Sequence, residues 1–333
     1  MTVALVVGAR PQFVKAAALL PALRDRGPTL LVHTGQHTDA ELDADQFASL
    51  GLPAPDVRLT ADGDRDARRT GMVEGLRAAF AEHAIERVVV LGDTDSTVAG
   101  AEAAHALGLP LTHVEAGARS GEPDLPEEIN RVRVDELSDR LLCSTAAHAD
   151  NLAGRTGVHV VGDLMAAALQ ARAETIRAQA PSGGDPYAVL TVHRAGTADD
   201  PAALESIVQG LAGIGMRVVF PKHPRVQRRD FPAPIVVVPP MPYLAFLSLV
   251  AGATRVLTDS GGLQKEAYLL GVPCITLRDA TEWGETVDAG WNVLAGTDPV
   301  RIREALAHTP PPARPALYGE SDVPARIANH VWA

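Results

Sequence analysis

The fold is decided by the stretch VALVVGARPQFVK at residues 3–15. Its first five residues form an uninterrupted apolar run, which is typical of a strand buried on both faces of a parallel sheet. Gly8 allows a tight turn after this run, and Pro11 suits the first turn of a helix. The stretch therefore predicts a buried strand that leads through a short turn into a helix.

The same order of elements recurs along the chain, because short β-branched runs alternate with amphipathic segments. This alternation predicts α/β architecture with parallel sheets covered by helices on both faces. The predicted strands are 3–7, 30–33, 88–91, 111–114, 141–143 and 158–161 in the first half, and 188–192, 217–220, 235–238, 255–257, 274–277 and 292–294 in the second.

The best linker is 181–186, which combines two prolines with two glycines. A chain of 333 residues also exceeds what a single hydrophobic core usually supports. We therefore expect two Rossmann-like, doubly wound domains, 1–180 and 186–311. A last helix at about 320–333 is expected to pack back on the first domain.

The composition argues against several classes of protein. The formal charge is -11, from 30 Lys and Arg against 41 Asp and Glu, which disfavours binding to nucleic acid or to an anionic membrane. No apolar stretch approaches the roughly 18 residues of a membrane span, and no basic leader precedes the first strand. We expect a soluble, cytoplasmic protein with no nucleic-acid or membrane partner, in which Cys143 and Cys274 are inert core thiols.

Only three lysines occur, Lys15, Lys222 and Lys265, so arginine carries nearly all the positive charge. This bias suggests that lysine remains where a compact ammonium is needed. We expect such a role for Lys15. Lys222 is predicted to approach a diphosphate or a regulatory nucleotide, and Lys265 is predicted to face solvent.

Polar residues follow the predicted strands of the first half at the sheet edge where α/β proteins bind ligands. Arg10 and Lys15 bring two cations to a helix start, which suits a phosphate. Three carboxylates, Asp93, Glu115 and Glu127, could converge there and raise one another's pKa for proton transfer to and from carbon. The neighbouring Asp95 and Glu128 are explained by a helix cap and by the helix dipole.

The second half repeats the pattern with basic and small residues. His193 and Arg194 follow a strand and could hold a diphosphate, and the stretch 220–225 (FPKHPR) ends the next strand with three basic side chains. The stretch 258–266 (TDSGGLQKE) predicts a turn whose backbone amides open a helix and bind an anion. Glu266 lies on that helix, where it could accept hydrogen bonds from ribose hydroxyls.

The motifs do not indicate a cofactor or a metal. The turn at 8–15 lacks the three spaced glycines of a dinucleotide fingerprint, and no His and Cys spacing suggests zinc. An acid-rich site leaves magnesium open in principle. We expect neither a cofactor nor a resident metal.

Taken together, these motifs resemble the non-hydrolysing UDP-N-acetylglucosamine 2-epimerase family, including its UDP-2,3-diacetamido-2,3-dideoxy-glucuronic acid branch. The resemblance spans nearly the whole chain and rests on several motifs in the family's order. They are 8–11 (GARP), 34–37 (TGQH), 92–94 (GDT), 113–117 (HVEAG), 126–131 (PEEINR), 191–194 (TVHR) and 259–262 (DSGG).

The resemblance implies a glycosyltransferase-B type fold with a cleft between its domains. It also implies interconversion of UDP-GlcNAc and UDP-ManNAc, by anti elimination of UDP to 2-acetamidoglucal and re-addition. The implied catalytic residues are Asp93, Glu115, Glu127 and His193. The implied substrate-binding residues are Arg10, Lys15, Gln36, His37, Arg131, Arg194, His223, Tyr243, Ser260, Gly261, Gly262, Glu266 and Arg278. A homodimer that serves polysaccharide biosynthesis with a UDP-sugar substrate is expected on the same ground.

The chain departs from the family pattern at three motifs. Gln12 stands where many members have Glu, 281–285 reads TEWGE in place of TERPE, and Gly196 and Thr197 replace a usual Glu-Asn pair. The first two departures, with a short stretch between Glu115 and Glu127, favour the diacetamido-glucuronate branch or archaeal-type enzymes. Four alternatives therefore remain: that branch, a hydrolysing epimerase, a glycosyltransferase of the same fold, and a sugar-nucleotide-binding regulator.

Overall fold

The computed structural model describes residues 1–36, 47–319 and 322–333. The chain divides into two compact units. The first comprises Met1–Ala171 with Leu317–Ala333, and the second comprises Arg172–Ala316. Each unit is built on one sheet, and all the strand pairs in both sheets are parallel.

The first unit holds a seven-stranded sheet in the order β3-β2-β1-β4-β5-β6-β7. Its strands are β1 Val3–Val7, β2 Thr29–His33, β3 Val57–Arg58, β4 Arg87–Leu91, β5 Leu111–Val114, β6 Arg140–Cys143 and β7 Val158–Val160. Its helices include Arg10–Arg24, Arg65–Glu82, Asp95–Ala106, Pro126–Leu137, Ala146–Asp150, Leu164–Gln170 and Val323–Trp332.

The core of the first unit follows from the apolar runs. All five residues of β1 are fully buried, because helices cover both faces of the sheet. The final helix, Val323–Trp332, turns its buried residues Val323, Ile327 and Val331 toward this unit and packs on the helix Arg10–Arg24. Arg87 and Arg140 donate to carbonyls in its last turn, which satisfies acceptors that a helix end leaves open.

The second unit holds a six-stranded sheet in the order β10-β9-β8-β11-β12-β13. Its strands are β8 Tyr187–Thr191, β9 Arg217–Pro221, β10 Ile235–Val238, β11 Arg255–Thr258, β12 Cys274–Thr276 and β13 Asn292–Leu294. Its helices are Ala173–Ala178, Ala195–Ala198, Pro201–Leu211, Tyr243–Ala251, Gly261–Leu270, Gly284–Asp288 and Pro299–Ala307.

The second unit begins at Arg172, before the predicted linker. The reason is that the helix Ala173–Ala178 packs on the helix Tyr243–Ala251 of the second sheet. The predicted fold class, two Rossmann-like doubly wound α/β units, is confirmed. The sequence missed only the two-residue strand β3 among the strands described.

Both cysteines are buried core residues, as expected. Burial raises the pKa of Cys143 and of Cys274 to about 12, so both thiols stay protonated at neutral pH. Among the helices described, none has the length and apolarity that a bilayer crossing requires.

The strand order fixes where a ligand site can form in each unit. In the first sheet the order reverses between β1 and β4, and in the second it reverses between β8 and β11. Connections leave such a pair of strands in opposite directions, which opens a crevice at their carboxyl ends. The segments that begin at Gly8, Gly92, Val192 and Asp259 follow these four strands directly.

Candidate active site

The turn after β1 depends on Gly8. A Cβ atom there would overlap the hydroxyls of Thr34 and Ser96, which hydrogen-bond to each other at 2.7 Å. Three chain segments therefore approach closely at the carboxyl end of β1, and only glycine leaves them room.

Gln12 ties this turn to the neighbouring strand. Its side-chain oxygen accepts hydrogen bonds from the amides of Gly8 at 2.8 Å and Ala9 at 3.1 Å. Its nitrogen donates to the Leu91 carbonyl and to Thr97 Oγ1, both at 3.0 Å. An ionised glutamate could not donate to that carbonyl, so the amide at position 12 suits this fully packed environment.

Gln36 braces the start of the helix Asp95–Ala106. Its side-chain oxygen accepts from the Ser96 amide at 2.9 Å and from the Ser96 hydroxyl. Its substrate-binding role stays a prediction. His37, predicted with it, lies outside the described residues.

Lys15 and Glu115 form a largely buried ion pair. Lys15 Nζ lies 2.7 Å from Glu115 Oε2, and their side chains are 7% and 11% exposed. Glu115 has a φ of 75°, which costs a residue with a Cβ about 1–3 kcal/mol and is retained where the surroundings hold it. Glu115 comes directly after β5, and its carboxylate faces Lys15.

Gly92, at the end of β4, lies beside this pair. A Cβ atom on Gly92 would stand 3.3 Å from Lys15 Nζ and 3.9 Å from Glu115 Oε1. Asp93 follows immediately, so the structure brings the segments carrying Asp93 and Glu115 to one edge of the sheet.

Asp93 is held by the helix Pro126–Leu137. Its carboxylate pairs with Arg131, and its carbonyl accepts from Asn130 Nδ2 at 2.8 Å. Arg131 is held in turn by Glu128, 3.1 Å away. Glu128 lies in the first turn of this helix, as expected, but it is 6% exposed and also accepts from the Ser120 amide and hydroxyl, so it has a positioning role as well.

Glu127 and Asp95 lie near the same edge. Glu127 occupies the first turn of the helix Pro126–Leu137, and its charge contributes to raising the pKa of Arg65, after the larger effect of the hydrogen bond to Asp95. Asp95 pairs with Arg65 at 2.9 and 2.6 Å. Burial raises the pKa of Asp95, but the hydrogen bond from Arg65 outweighs this and holds the pKa below its ordinary value.

In the second unit Asp259 organises the carboxyl ends of β8 and β11. It is fully buried and accepts from the amides of His193 at 3.0 Å and Arg194 at 2.9 Å and from the Thr197 hydroxyl. His193 Nδ1 lies 3.1 Å from its other oxygen. Burial raises the pKa of Asp259, but these hydrogen bonds, first of all that from His193, hold it below the ordinary value.

His193 is therefore oriented through Nδ1, and its ring is partly exposed. The ring of His223 lies 5.9 Å from it, centre to centre. The structure thus brings together these two residues of the predicted site. Such a pair presents ring nitrogens that suit a phosphate oxygen.

The turn 260–262 opens the helix Gly261–Leu270 as predicted. Ser260 caps that helix, because its hydroxyl accepts from the Leu263 amide at 3.4 Å. A Cβ on Gly261 would overlap Glu282 and stand 3.6 Å from a nitrogen of Arg194, whereas a Cβ on Gly262 would meet nothing within 4 Å. Gly261 thus permits a close approach, and Gly262 keeps the turn open.

Three further predicted residues, Tyr243, Glu266 and Arg278, have side-chain partners around this helix. Tyr243 donates to Glu266 at 2.6 Å, which fixes the carboxylate one and a half turns into the helix. Arg278 pairs with Glu282 at 3.0 Å, and both side chains are buried. Within the described ranges, no group of three His, Cys, Asp or Glu side chains could hold a metal ion.

Comparison with known proteins gives a consistent result. The family model of UDP-N-acetylglucosamine 2-epimerase matches residues 22–331. The chain is 39% identical to the UDP-2,3-diacetamido-2,3-dideoxy-D-glucuronate 2-epimerase of Pseudomonas aeruginosa, over 99% of both chains. It is 36% identical to the UDP-N-acetylglucosamine 2-epimerase of Methanocaldococcus jannaschii, over 92% of this chain and 91% of that one. The chain belongs to the UDP-N-acetylglucosamine 2-epimerase family.

A solved structure of the family extends the match to three dimensions. The Methanocaldococcus jannaschii UDP-GlcNAc 2-epimerase in complex with UDP-GlcNAc and UDP superposes with a TM-score of 0.91. The two chains share 32% identity, and the match covers 99% of each. The family resemblance inferred from the motifs is confirmed.

Where the epimerase family usually has Glu-Asn, Gly196 and Thr197 serve different purposes. Thr197 donates its hydroxyl to the buried Asp259, so it belongs to the support of His193. Gly196 is exposed, and a Cβ there would meet nothing within 4 Å. Position 196 thus has room for the family's carboxylate, and its loss removes a charge without removing packing.

The burial of Lys265 differs from the prediction. Lys265 was expected to face solvent, but it is 2% exposed and its Nζ lies 3.9 Å from the centre of the Trp283 ring. Trp283 also donates to the Gly261 carbonyl at 2.9 Å. Spacing along a helix could not reveal this, because the contact comes from the distant segment 281–285. The tryptophan of the variant TEWGE motif therefore covers the lysine and braces the glycine turn.

Lys222 also has a structural role. Its ammonium donates to the carbonyls of Val226 at 3.1 Å and Arg228 at 3.0 Å, which closes the loop after β9. Lys15 and Lys265 thus place an ammonium in a buried site, whereas Lys222 is only partly buried.

Lys265→Arg is expected to lower the free energy of unfolding by about 1–3 kcal/mol, because the wider guanidinium overpacks a filled site against Trp283. Lys222→Arg is the matched comparison and should lose less, since its ammonium lies in a half-buried loop. Thermal unfolding followed by tryptophan fluorescence measures both variants. Equal stability of Lys265→Arg and wild type would show that the cation–π contact tolerates the larger group.

Proposed function

We propose that this protein interconverts UDP-GlcNAc and UDP-ManNAc by inverting carbon 2 without hydrolysis. The observation that carries the proposal is the Lys15–Glu115 pair beside the Gly92-Asp93 turn. Glu115, an acid-base group with a positive φ, thus lies beside the turn that carries Asp93, at the sheet edge where ligands bind.

The reaction balances without a cofactor. In the first step a base removes the proton on carbon 2, the bond from carbon 1 to UDP breaks with its electrons, and 2-acetamidoglucal forms with a double bond between carbons 1 and 2. In the second step UDP returns to carbon 1 while an acid delivers a proton to the opposite face of carbon 2. Substrate and product are isomers, so no oxidant or reductant is consumed.

The first unit supplies the acid-base groups in this proposal. Two faces of carbon 2 need two proton-transfer groups, and Asp93 and Glu115 follow adjacent strands, β4 and β5. Arg131 pairs with Asp93 and Lys15 pairs with Glu115, so both carboxylates are held in fixed positions. Glu127, in the first turn of the helix Pro126–Leu137, is assigned to proton exchange with the leaving group or solvent.

The second unit supplies the nucleotide-binding groups in this proposal. His193, oriented by Asp259, is assigned to the diphosphate together with Arg194 and the turn of Ser260 and Gly262. Glu266, fixed by Tyr243, is assigned to the ribose hydroxyls. Arg10, Gln36, His223 and Arg278 complete the proposed substrate-binding set.

A second candidate substrate is UDP-2,3-diacetamido-2,3-dideoxy-D-glucuronate. The 39% identity to the Pseudomonas aeruginosa enzyme with that name favours it, as do Gln12 and Trp283 at the variant motifs. The reaction at carbon 2 is the same for both sugars. From the resemblance we also propose a cytoplasmic homodimer that supplies an amino-sugar donor for polysaccharide assembly.

Incubation with each UDP sugar separately, followed by proton NMR of the anomeric region, tests the proposal. We expect a second UDP-linked anomeric signal from UDP-GlcNAc and no accumulation of free UDP. Conversion of the diacetamido sugar alone would establish the second candidate. Accumulation of free UDP would establish a hydrolysing enzyme, and absence of turnover with both sugars would contradict the proposed function.

A further inference from the structure

His113 lies inside β5 and is fully buried. Its Nδ1 stands 2.7 Å from Asp135 Oδ1, and its Nε2 stands 2.8 Å from the Gly92 carbonyl oxygen. Asp135 is 2% exposed and belongs to the helix Pro126–Leu137. The imidazole therefore bridges that helix to the turn after β4.

The other oxygen of Asp135 reaches the segment that carries Glu115. It accepts from the Gly117 amide at 3.2 Å and from Arg119 at 2.7 Å. Gly117 has a φ of 77°, and a Cβ on it would overlap the His148 carbonyl, so only glycine fits this position. The His113–Asp135 pair thus holds Gly92, which precedes Asp93, and Gly117, which lies two residues after Glu115.

The Gly92 acceptor determines where one proton of His113 lies. The Gly92 carbonyl can only accept, so His113 Nε2 donates to it. Burial raises the pKa of Asp135, but the hydrogen bonds from His113 and Arg119 outweigh this and hold it below the ordinary value. The ionised Asp135 carboxylate holds the imidazole at Nδ1, 2.7 Å away.

We propose that His113 and Asp135 are positioning residues for the epimerase reaction, and that the hydrogen bond from His113 Nε2 fixes the Gly92-Asp93 turn. The inference rests on the proposed function. A peptide plane that rotates at Gly92 would swing Asp93 away from its place beside Arg131. Misplacement of a catalytic group by about 1 Å can cost about 10²-fold in rate.

Two substitutions separate the two hydrogen bonds of His113. Glutamine places its amide nitrogen near the position of Nε2 and can still donate to Gly92, whereas asparagine reaches only toward Asp135. We expect His113→Asn to lower kcat by about 10²-fold with KM nearly unchanged. His113→Gln should keep most of the wild-type kcat. Steady-state kinetics with solvent exchange at carbon 2 as the readout provides both constants.

Controls separate this effect from a general loss of packing. Asp163→Asn replaces another fully buried carboxylate, one that caps the helix Leu164–Gln170, and asparagine caps equally well. It should leave kcat unchanged. Equal kcat for His113→Asn and His113→Gln at equal thermal stability would overturn the positioning role. Wild-type inactivity would instead contradict the proposed function itself, so the two failures are distinguishable.

The hydrogen bond at Nε2 has a test that does not need an active variant. In protein labelled with 15N-histidine, the His113 signals are those that vanish in His113→Gln. We expect Nε2 to show the chemical shift of a protonated ring nitrogen. An unprotonated Nε2 would overturn the hydrogen bond to the Gly92 carbonyl.

Discussion

Glu115→Gln is expected to lower kcat by about 10² to 10⁴-fold, the range for loss of a general acid or base, while UDP binding is largely kept. Glutamine matches the size of glutamate and can still accept from Lys15, so the fold should persist. It cannot carry a proton to or from carbon 2. Asp93→Asn should lose activity over the same range, because its carboxylate is the partner at the adjacent strand.

Kinetics at saturating substrate, with UDP affinity measured by calorimetry, checks both variants. Glu74→Gln is the matched control, because Glu74 is exposed on the helix Arg65–Glu82 of the same unit. It should behave as wild type. Near-wild-type turnover in both Glu115→Gln and Asp93→Asn would refute their assignment as acid-base groups.

Asp259→Asn is expected to damage stability and activity together. Asparagine would turn an amide NH₂ toward amides, a hydroxyl and an imidazole that now donate to the carboxylate. Leaving buried donors without an acceptor costs about 1–3 kcal/mol, and more where a charge is involved. His193 loses its orienting partner, so kcat should fall even in the fraction that stays folded.

The pH dependence of stability provides a second signature of Asp259. Its pKa is lower in the folded chain than in the unfolded chain. Its contribution to stability is therefore fully present above the unfolded value of about 3.9 and is lost as pH falls through the folded value. Asp259→Asn should therefore lack this part of the stability loss at low pH.

Urea unfolding of wild type and Asp259→Asn between neutral pH and pH 3 measures both effects. Asp200→Asn is the control, because Asp200 caps the exposed start of the helix Pro201–Leu211 and asparagine caps as well. A stability difference between Asp259→Asn and wild type that stays constant down to pH 3 would contradict the linkage.

The fold was predictable because local and global patterns agree. Runs such as Val3–Val7 are apolar throughout and become fully buried parallel strands. The positions of the candidate site were also predictable, since it lies in the turns after β1, β4, β5, β8 and β11. Topology alone places the residues after those strands at the carboxyl edges of the two sheets.

The contacts within the site were not predictable, because they join residues far apart in sequence. Asp259 stood in a recognised motif, yet its four donors come from the segment 193–197. The positive φ of Glu115 has no sequence signal, since the left-handed region is typical of glycine. The burial of Lys265 depends on Trp283, and the role of Glu128 depends on Ser120 and Arg131.

The sequence contains one signal for the positioning role of His113, a histidine within a predicted buried strand. A histidine within a buried strand needs a partner for each ring nitrogen, and the adjacent turns and helix offered a carbonyl and a carboxylate. In the sequence, the stretch 113–117 stands out only as a family motif. A search for buried polar residues in predicted strands would have selected it.

The proposed inversion of configuration at carbon 2 is tested most directly by solvent exchange. Protein incubated with UDP-GlcNAc in deuterated water should produce UDP-ManNAc with deuterium at carbon 2, seen as the loss of that proton's NMR signal and of its coupling to the anomeric proton. Glu115→Gln should show this exchange only at a strongly reduced rate. Formation of UDP-ManNAc that retains the carbon 2 proton would contradict inversion by proton removal and return from solvent.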